Sequence, residues 1–332
     1  MASPNLSSAF LFTLLLSSFL VSPSFSELCN PQDKKVLLSI KQSLNNPYIL
    51  ASWKADTDCC DWYCVACDDT THRITQLTIF DGTLSGQIPA AVGDLPYLQM
   101  IDLNRLSHVT GPIPSSLGKL QDLTFLRLSY LNLTGSIPST LGMLSKLTLL
   151  DLSHNDLTGS IPNLLSRIPK LRYLGLDGNR LTGTIPESLK LLDGNLPYLV
   201  LSDNRLSGEV PASFRGVNFG YVDLAGNMLR GDGSVFFGAN KTTEKINLSG
   251  NAFEFDLSRV EFQEGLIGLD LSHNRIFGSI PEGIVKLELE SLNLSYNALC
   301  GKIPAGGQMQ NFGYESYFHN RCLCGAPLES CK

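Results

Sequence analysis

From about Ile74 to Pro304 the chain repeats one pattern of apolar and polar positions. In the stretch LTLLDLSHNDLTGSIP, apolar residues stand at 147, 150, 152 and 157, an Asn stands at 155, and the segment closes on Gly-x-Ile-Pro. The Asn returns at 179, 204, 227, 251, 274 and 297, so the interval is 23 to 25 residues. Local alternation within each unit predicts ten short strands, centred on Leu77–Ile79, Ile101–Leu103, Leu126–Leu128, Leu150–Leu152, Leu174–Leu176, Leu199–Leu201, Val222–Leu224, Ile246–Leu248, Leu269–Leu271 and Leu292–Leu294. The named apolar residues face inward and the residues between them face out, because strand side chains alternate. One such unit cannot bury its apolar face alone, so neighbours must stack.

The spacing L-x-x-L-x-L-x-x-N-x-L at this period is that of leucine-rich repeats. The expected fold is an α/β solenoid, a right-handed superhelix of about ten repeats whose strands form a parallel concave sheet roughly 45 Å long. The recurring Asn is expected to turn inward and bond backbone groups of adjacent loops. After each strand comes Leu-Thr/Ser-Gly-x-Ile-Pro, as in Leu133–Pro138, Leu157–Pro162 and Leu181–Pro186. The Gly permits a tight turn and the Pro halts further pairing. This close resembles the plant-type extracellular repeat. Three units depart: Leu131 replaces the Asn in the third, and the seventh and eighth lose the Ile-Pro close around Gly231–Gly238 and Phe253–Leu257.

Outside the repeats, Asn30-Pro31-Gln32-Asp33 predicts a helix start with an Asn cap, Pro in the first turn and an acid at the positive end of the dipole. Val36, Leu37, Ile40 and Leu44 form one apolar stripe, and Asn45-Asn46-Pro47 ends it. With Trp53 and Trp62 this helix is expected to lid the first repeat. Residues 1–26 read as a secretory signal, with an apolar run from Ala9 to Val21 and small residues before Glu27. No later stretch is long and apolar enough to suggest a transmembrane anchor. The expected organisation is signal 1–26, N-terminal cysteine-containing cap 27–72, repeats 73–299 and C-terminal cap 300–332. Nine cysteines lie only in the two end segments. In an oxidising compartment that distribution staples the ends of a stack, and one thiol is left over. The pair Cys64 and Cys67 has C-x-x-C spacing, but no second pair of ligand-like spacing accompanies it, so disulfide chemistry is expected and no metal. Sequons stand at Asn132, Asn240, Asn247 and Asn293, the last two on outward strand positions.

A net charge of −6, thinly spread, argues against nucleic acid or an anionic membrane as partner. Outward strand positions carry Asp102, Asp151, Asp177, Asp203, Asp223 and Asp270, while Lys and Arg are nearly absent there. Tyr173, Tyr198 and Tyr221 precede three successive strands and form an aromatic column beside these acids. Exposed Tyr next to charge has the composition of a binding hot spot.

Four segments, ELCNPQDKKVLLSIKQSL, CCDWYCVACD, LPYL at 95–98 and FHNRCLCGAPLESC, closely resemble the polygalacturonase-inhibiting proteins of plants. The resemblance covers the mature chain, caps included. It implies a secreted, cell-wall defence protein that binds and inhibits endopolygalacturonases of fungi or insects. It also implies the bridges Cys29–Cys59, Cys60–Cys67, Cys300–Cys322 and Cys324–Cys331, with Cys64 as the odd thiol. The family's acidic pocket corresponds to Asp151, Ser153, Asp177 and Asp223, and Tyr173, Tyr198 and Tyr221 join it as enzyme-binding residues. Some relatives carry basic residues just before the repeating Asn, where they are thought to hold pectin. Here those positions read Asp203, Gly226, Gly250 and His273, which speaks against pectin as a partner.

No cofactor and no catalytic set are expected, since the five histidines at 72, 108, 154, 273 and 319 lie in turns or caps without a matched nucleophile. The alternative function is a soluble receptor-like repeat protein that recognises a plant peptide or receptor kinase. Ice binding is the third reading, and it would favour a flat array of Thr and Asn.

Overall fold

The computed structural model describes residues 28–192 and 198–332, so the secretory signal lies outside the described residues. All ten strands form, and they pair in parallel in chain order from Ile74–Phe80 to Ser291–Asn293. The sheet has an eleventh member that the repeat pattern does not show. Val65–Cys67 pairs antiparallel with Ile74–Phe80 and closes the N-terminal edge. Behind this sheet, the chain steps through short second-layer strands such as Asn132–Ser136 and Arg205–Glu209, then single 3-10 turns such as Ser139–Met143. The core lies between the layers, where Leu126, Leu150, Leu174 and Leu199 are wholly buried.

The Asn side chains hold consecutive repeats together. Asn155 Oδ1 accepts the Leu133 N–H at 3.0 Å, and its Nδ2 donates to the carbonyls of Leu128 (2.8 Å), Leu152 (3.1 Å) and Ser153 (3.0 Å). One amide thus serves its own turn and the preceding repeat, in a place water does not reach. The same set recurs at Asn179, Asn204, Asn227, Asn251, Asn274 and Asn297. The ladder also runs beyond the expected repeat segment. Asn320 accepts from Leu299 N–H and donates to Leu294 carbonyl, so the C-terminal cap is built as one further, shortened repeat. At the other end Leu106 joins Leu131 as a buried leucine at the ladder position, a departure in the second unit that reading the third alone does not reveal.

The residue before each ladder position has a left-handed backbone, with φ of 52° at His154, 61° at Gly178, 52° at Asp203 and 55° at His273. That geometry is tolerated best by Gly, Asp and His, which fill most of these positions, while Arg105, Tyr130 and Tyr296 also adopt it, with φ of 55°, 53° and 53°. In the two units lacking Ile-Pro, Asp232 and Asp256 replace Pro as the turn caps, accepting the N–H groups of Ser234 and Ser258. Phe214, Phe219 and Phe236 pack edge and face at 5.5 to 6.3 Å in the adjoining core.

The helix Pro31–Ser43 is capped by Asn30 and buries Val36, Leu37, Ile40 and Leu44, while Trp53 stacks on Trp62 at 5.6 Å. Asp33 does more than face the helix dipole. It is buried against Arg73 at 2.7 and 2.8 Å and accepts the Ile74 N–H, which ties the cap to the first repeat strand. Disulfides join Cys29–Cys59, Cys60–Cys67, Cys300–Cys322 and Cys324–Cys331, and Cys64 is free. No helix among the described residues is long and apolar enough to cross a membrane.

Because Asn179 Oδ1 accepts the otherwise unpartnered Leu157 N–H, and its Nδ2 reinforces carbonyls that Asn155, Asn204 and His154 also reach, Asn179→Ala is expected to lower unfolding free energy by about 2 kcal/mol. Urea titration followed by circular dichroism measures this. A midpoint equal to that of the parent protein would show that water enters the turn and substitutes for the amide.

Candidate binding site on the concave face

Three outward rows run across the concave sheet. Pairing in register places Tyr173, Tyr198 and Tyr221 side by side in the first row. Ring centroids lie 6.1 and 6.4 Å apart in tilted and edge-on contact, and Tyr198 is 47% exposed. The tyrosines therefore face solvent and are not core. In the middle row the order is Asp102, Arg127, Asp151, Gly175, Val200, Asp223. Ser153 and Asp177 stand in the third row. At about 4.8 Å per strand, Asp151 and Asp223 are roughly 14 Å apart, with Asp177 between them one residue pair further along.

Two of these carboxylates share a construction. Asp151 Oδ1 accepts the N–H of Ser153 at 3.0 Å and its hydroxyl at 2.6 Å, and Asp223 Oδ1 accepts the Ala225 N–H at 3.1 Å. This local turn is structural, since Asn247 and Asn293 make the same bonds to Ser249 and Ser295. The other oxygen of each acid meets a side chain that could be displaced. Asp151 Oδ2 lies 3.5 Å from Arg127, Asp223 Oδ2 accepts the Tyr221 hydroxyl at 3.2 Å, and Asp177 Oδ2 lies 3.4 Å from His154 Nε2.

Burial is the main cause that holds the Asp177 and Asp223 carboxyls above the usual carboxylate range, and repulsion from Asp151 and Asp223 adds to it at Asp177. Burial also pushes the Tyr173 phenol up to about 12, helped by Asp151 and Asp177, and Tyr221 up to about 12, helped by Asp223. The three acids thus feel one another, and none is sealed beneath a loop. Among the described residues Asp223 has no basic partner within 4.0 Å.

One expectation needs correcting. Asp102 does not belong to the exposed acids: it is 5% exposed and bonded to Arg127 at 3.3 Å, because the neighbouring guanidinium lies over it. Basic groups are few in the rows, as expected, with Arg127 in the middle row between two acids and Lys245 beside Tyr221 in the first. Ser153 is buried, and its hydroxyl is spent on Asp151, so its part is to orient that carboxylate. Asp203 is exposed at the left-handed turn position, and Asp270 accepts the Ser272 N–H in the same manner as Asp151.

The chain resembles known proteins over nearly its full length. Residues 30–68 fit the family described as leucine rich repeat N-terminal domain, and residues 121–181 fit leucine rich repeat. The chain is 65% identical to a polygalacturonase inhibitor of Vitis vinifera over 98% of both chains, and 65% identical to one of Pyrus communis over the same shares. This chain belongs to the polygalacturonase-inhibitor family of leucine-rich-repeat proteins. Among solved structures, a plant ice-binding protein superposes with a TM-score of 0.89 at 47% identity, covering 92% of this chain and 99% of that one.

Within this inhibitor-family chain, the site contains residues that the sequence pattern does not single out. Gly175 leaves the space that the Tyr173 ring fills, since a Cβ there would lie 2.6 Å from the ring. The signal was a glycine inside a strand, which marks close approach. His154 stacks on Tyr130 at 4.1 Å and reaches Asp177, so it lines the site as well as the rim. Of the sequons, Asn132 and Asn240 are exposed, whereas Asn247 and Asn293 are half-buried with Oδ1 held by the following Ser.

An acid whose folded pKa is raised adds stability that is present in acid and lost as pH rises through that pKa. Asp177→Asn with Asp223→Asn is therefore expected to raise the melting temperature at neutral pH by about 1–3 °C, a gain that vanishes at low pH. Melting curves across pH measure it, and equal curves at every pH would mean that the carboxylates are not penalised by burial.

Proposed function

We propose that this protein is secreted to the plant cell wall and there inhibits fungal endopolygalacturonases through its concave face. The observation that carries this reading is the set of part-desolvated carboxylates, Asp151, Asp177 and Asp223, beside the solvent-facing tyrosines of the same strands. Such an arrangement favours a cationic partner, because a positive group brought to these acids relieves the cost of their charge. Relatives at 65% identity named polygalacturonase inhibitor indicate which partner that is.

A polygalacturonase holds a polyanionic chain, so its cleft must carry basic side chains. On this reading Asp177 and Asp223 engage those side chains, Tyr173, Tyr198 and Tyr221 supply apolar area, and the substrate is excluded or misplaced. The protein acts by binding and performs no chemistry of its own. The ice-binding neighbour shares the scaffold, whereas the rows here present Asp and Tyr and no Thr array, and function rests on such outward residues.

Asp177→Asn with Asp223→Asn is expected to slow association with a fungal endopolygalacturonase about tenfold at low salt and to flatten the salt dependence. Inhibition should also weaken as pH falls through the carboxylate range, since protonation removes the charge. Stopped-flow association at two ionic strengths and several pH values measures these effects. Inhibition that is unchanged in the double variant would move the interface away from this face.

A further inference from the structure

We propose that Arg127 is a built-in competitor at Asp151, so that a partner gains this carboxylate only by displacing an internal guanidinium. The inference rests on the concave-face reading above. Ser153 occupies Asp151 Oδ1 through both its N–H and its hydroxyl, which leaves Oδ2 as the oxygen open to a partner. Arg127 Nε stands 3.5 Å from that same Oδ2.

The two arms of Arg127 are unequal. Nη1 donates to Asp102 Oδ2 at 3.3 Å, and Asp102 is a buried acid whose Oδ1 has no partner among the described residues. Asp102 therefore depends on this guanidinium, and the Asp151 contact, longer and without hydrogen-bond geometry, is the one that yields. The Arg127 side chain is 32% exposed, so an incoming group can reach it, and it lies 5.0 Å from the Phe125 ring, over which the fork can slide. Asp177 and Asp223 differ in kind, since their free oxygens meet an imidazole and a neutral phenol. Across the face, then, Asp151 is the acid already neutralised from within. A partner with a bidentate guanidinium at this point could take its place, whereas an apolar or anionic residue there would be refused.

The test is Arg127→Gln combined with Asp102→Asn. Removing Arg127 alone would leave a buried charge unpaired and endanger folding. The pair removes one charge of each sign, so the net charge of −6 and the long-range field are kept. Dissociation of the complex with a fungal endopolygalacturonase should slow about threefold to fivefold, with association within about twofold of the parent. Hexa-arginine peptide, measured by calorimetry without any enzyme, should bind about threefold tighter. Adding Asp151→Asn should abolish both gains.

Unchanged or faster dissociation and unchanged peptide binding in the double variant would overturn the proposal, as would gains that survive the added Asp151→Asn. If instead Asp177→Asn with Asp223→Asn leaves inhibition intact, the concave-face reading fails. The peptide measurement still decides whether Arg127 withholds Asp151.

Discussion

The structure depends on satisfying the backbone at the turn that follows each concave strand. There the chain leaves the sheet inside the stack: some backbone groups still pair with the next repeat, as His154 N–H does with the Asp177 carbonyl, but others, such as the Leu157 N–H, are left without a backbone partner or water. An Asn amide, with two donors and an acceptor, meets that demand for two adjacent repeats at once. Leucine is used where the second and third repeats turn, at Leu106 and Leu131, and from Asn155 to Asn320 the amide takes over. Repeat spacing, sheet register and hence the positions of all outward side chains follow from this linkage.

Rigid register holds the single outward residues of the concave face in a fixed relation to one another. Parallel pairing places Tyr173, Tyr198 and Tyr221 at one strand spacing from each other, and holds the acids across the same strands. Each of Asp151 and Asp223 has one oxygen fixed by its own turn, so the other is held in a definite direction. Pre-organisation of this kind reduces the entropy lost on binding. It also carries a stability penalty, because Asp177 and Asp223 are held charged in a part-buried place without a full counter-charge.

Gly175 and Arg127 show how the middle row is divided. Gly175 interrupts the row and lets the Tyr173 ring lie across it, while Arg127 fills it and joins two acids. The surface is thus a patchwork of open, occupied and covered positions, and a list of outward acids does not describe it. Asp102 makes the point: by periodicity it equals Asp151, and by burial it is a core residue.

The sequence by itself determined the stack. The 23 to 25 residue period, the inward leucines, the recurring Asn and the cysteine-bearing ends specify strands, core and caps, because each repeat obeys the same local rules of alternation and backbone satisfaction. The outward residues were legible as candidates for the same reason. Only the tertiary structure decided their states: that Asp102 is buried under Arg127, that Ser153 orients Asp151, that Gly175 makes room for Tyr173, and that Val65–Cys67 adds an antiparallel edge. Two of those outcomes turn on contacts with a neighbouring strand, 25 positions away for Asp102 and Arg127 and 12 for Val65 and Leu77, and two on side chains two positions apart, where local volume and charge, and not the repeat itself, set the balance.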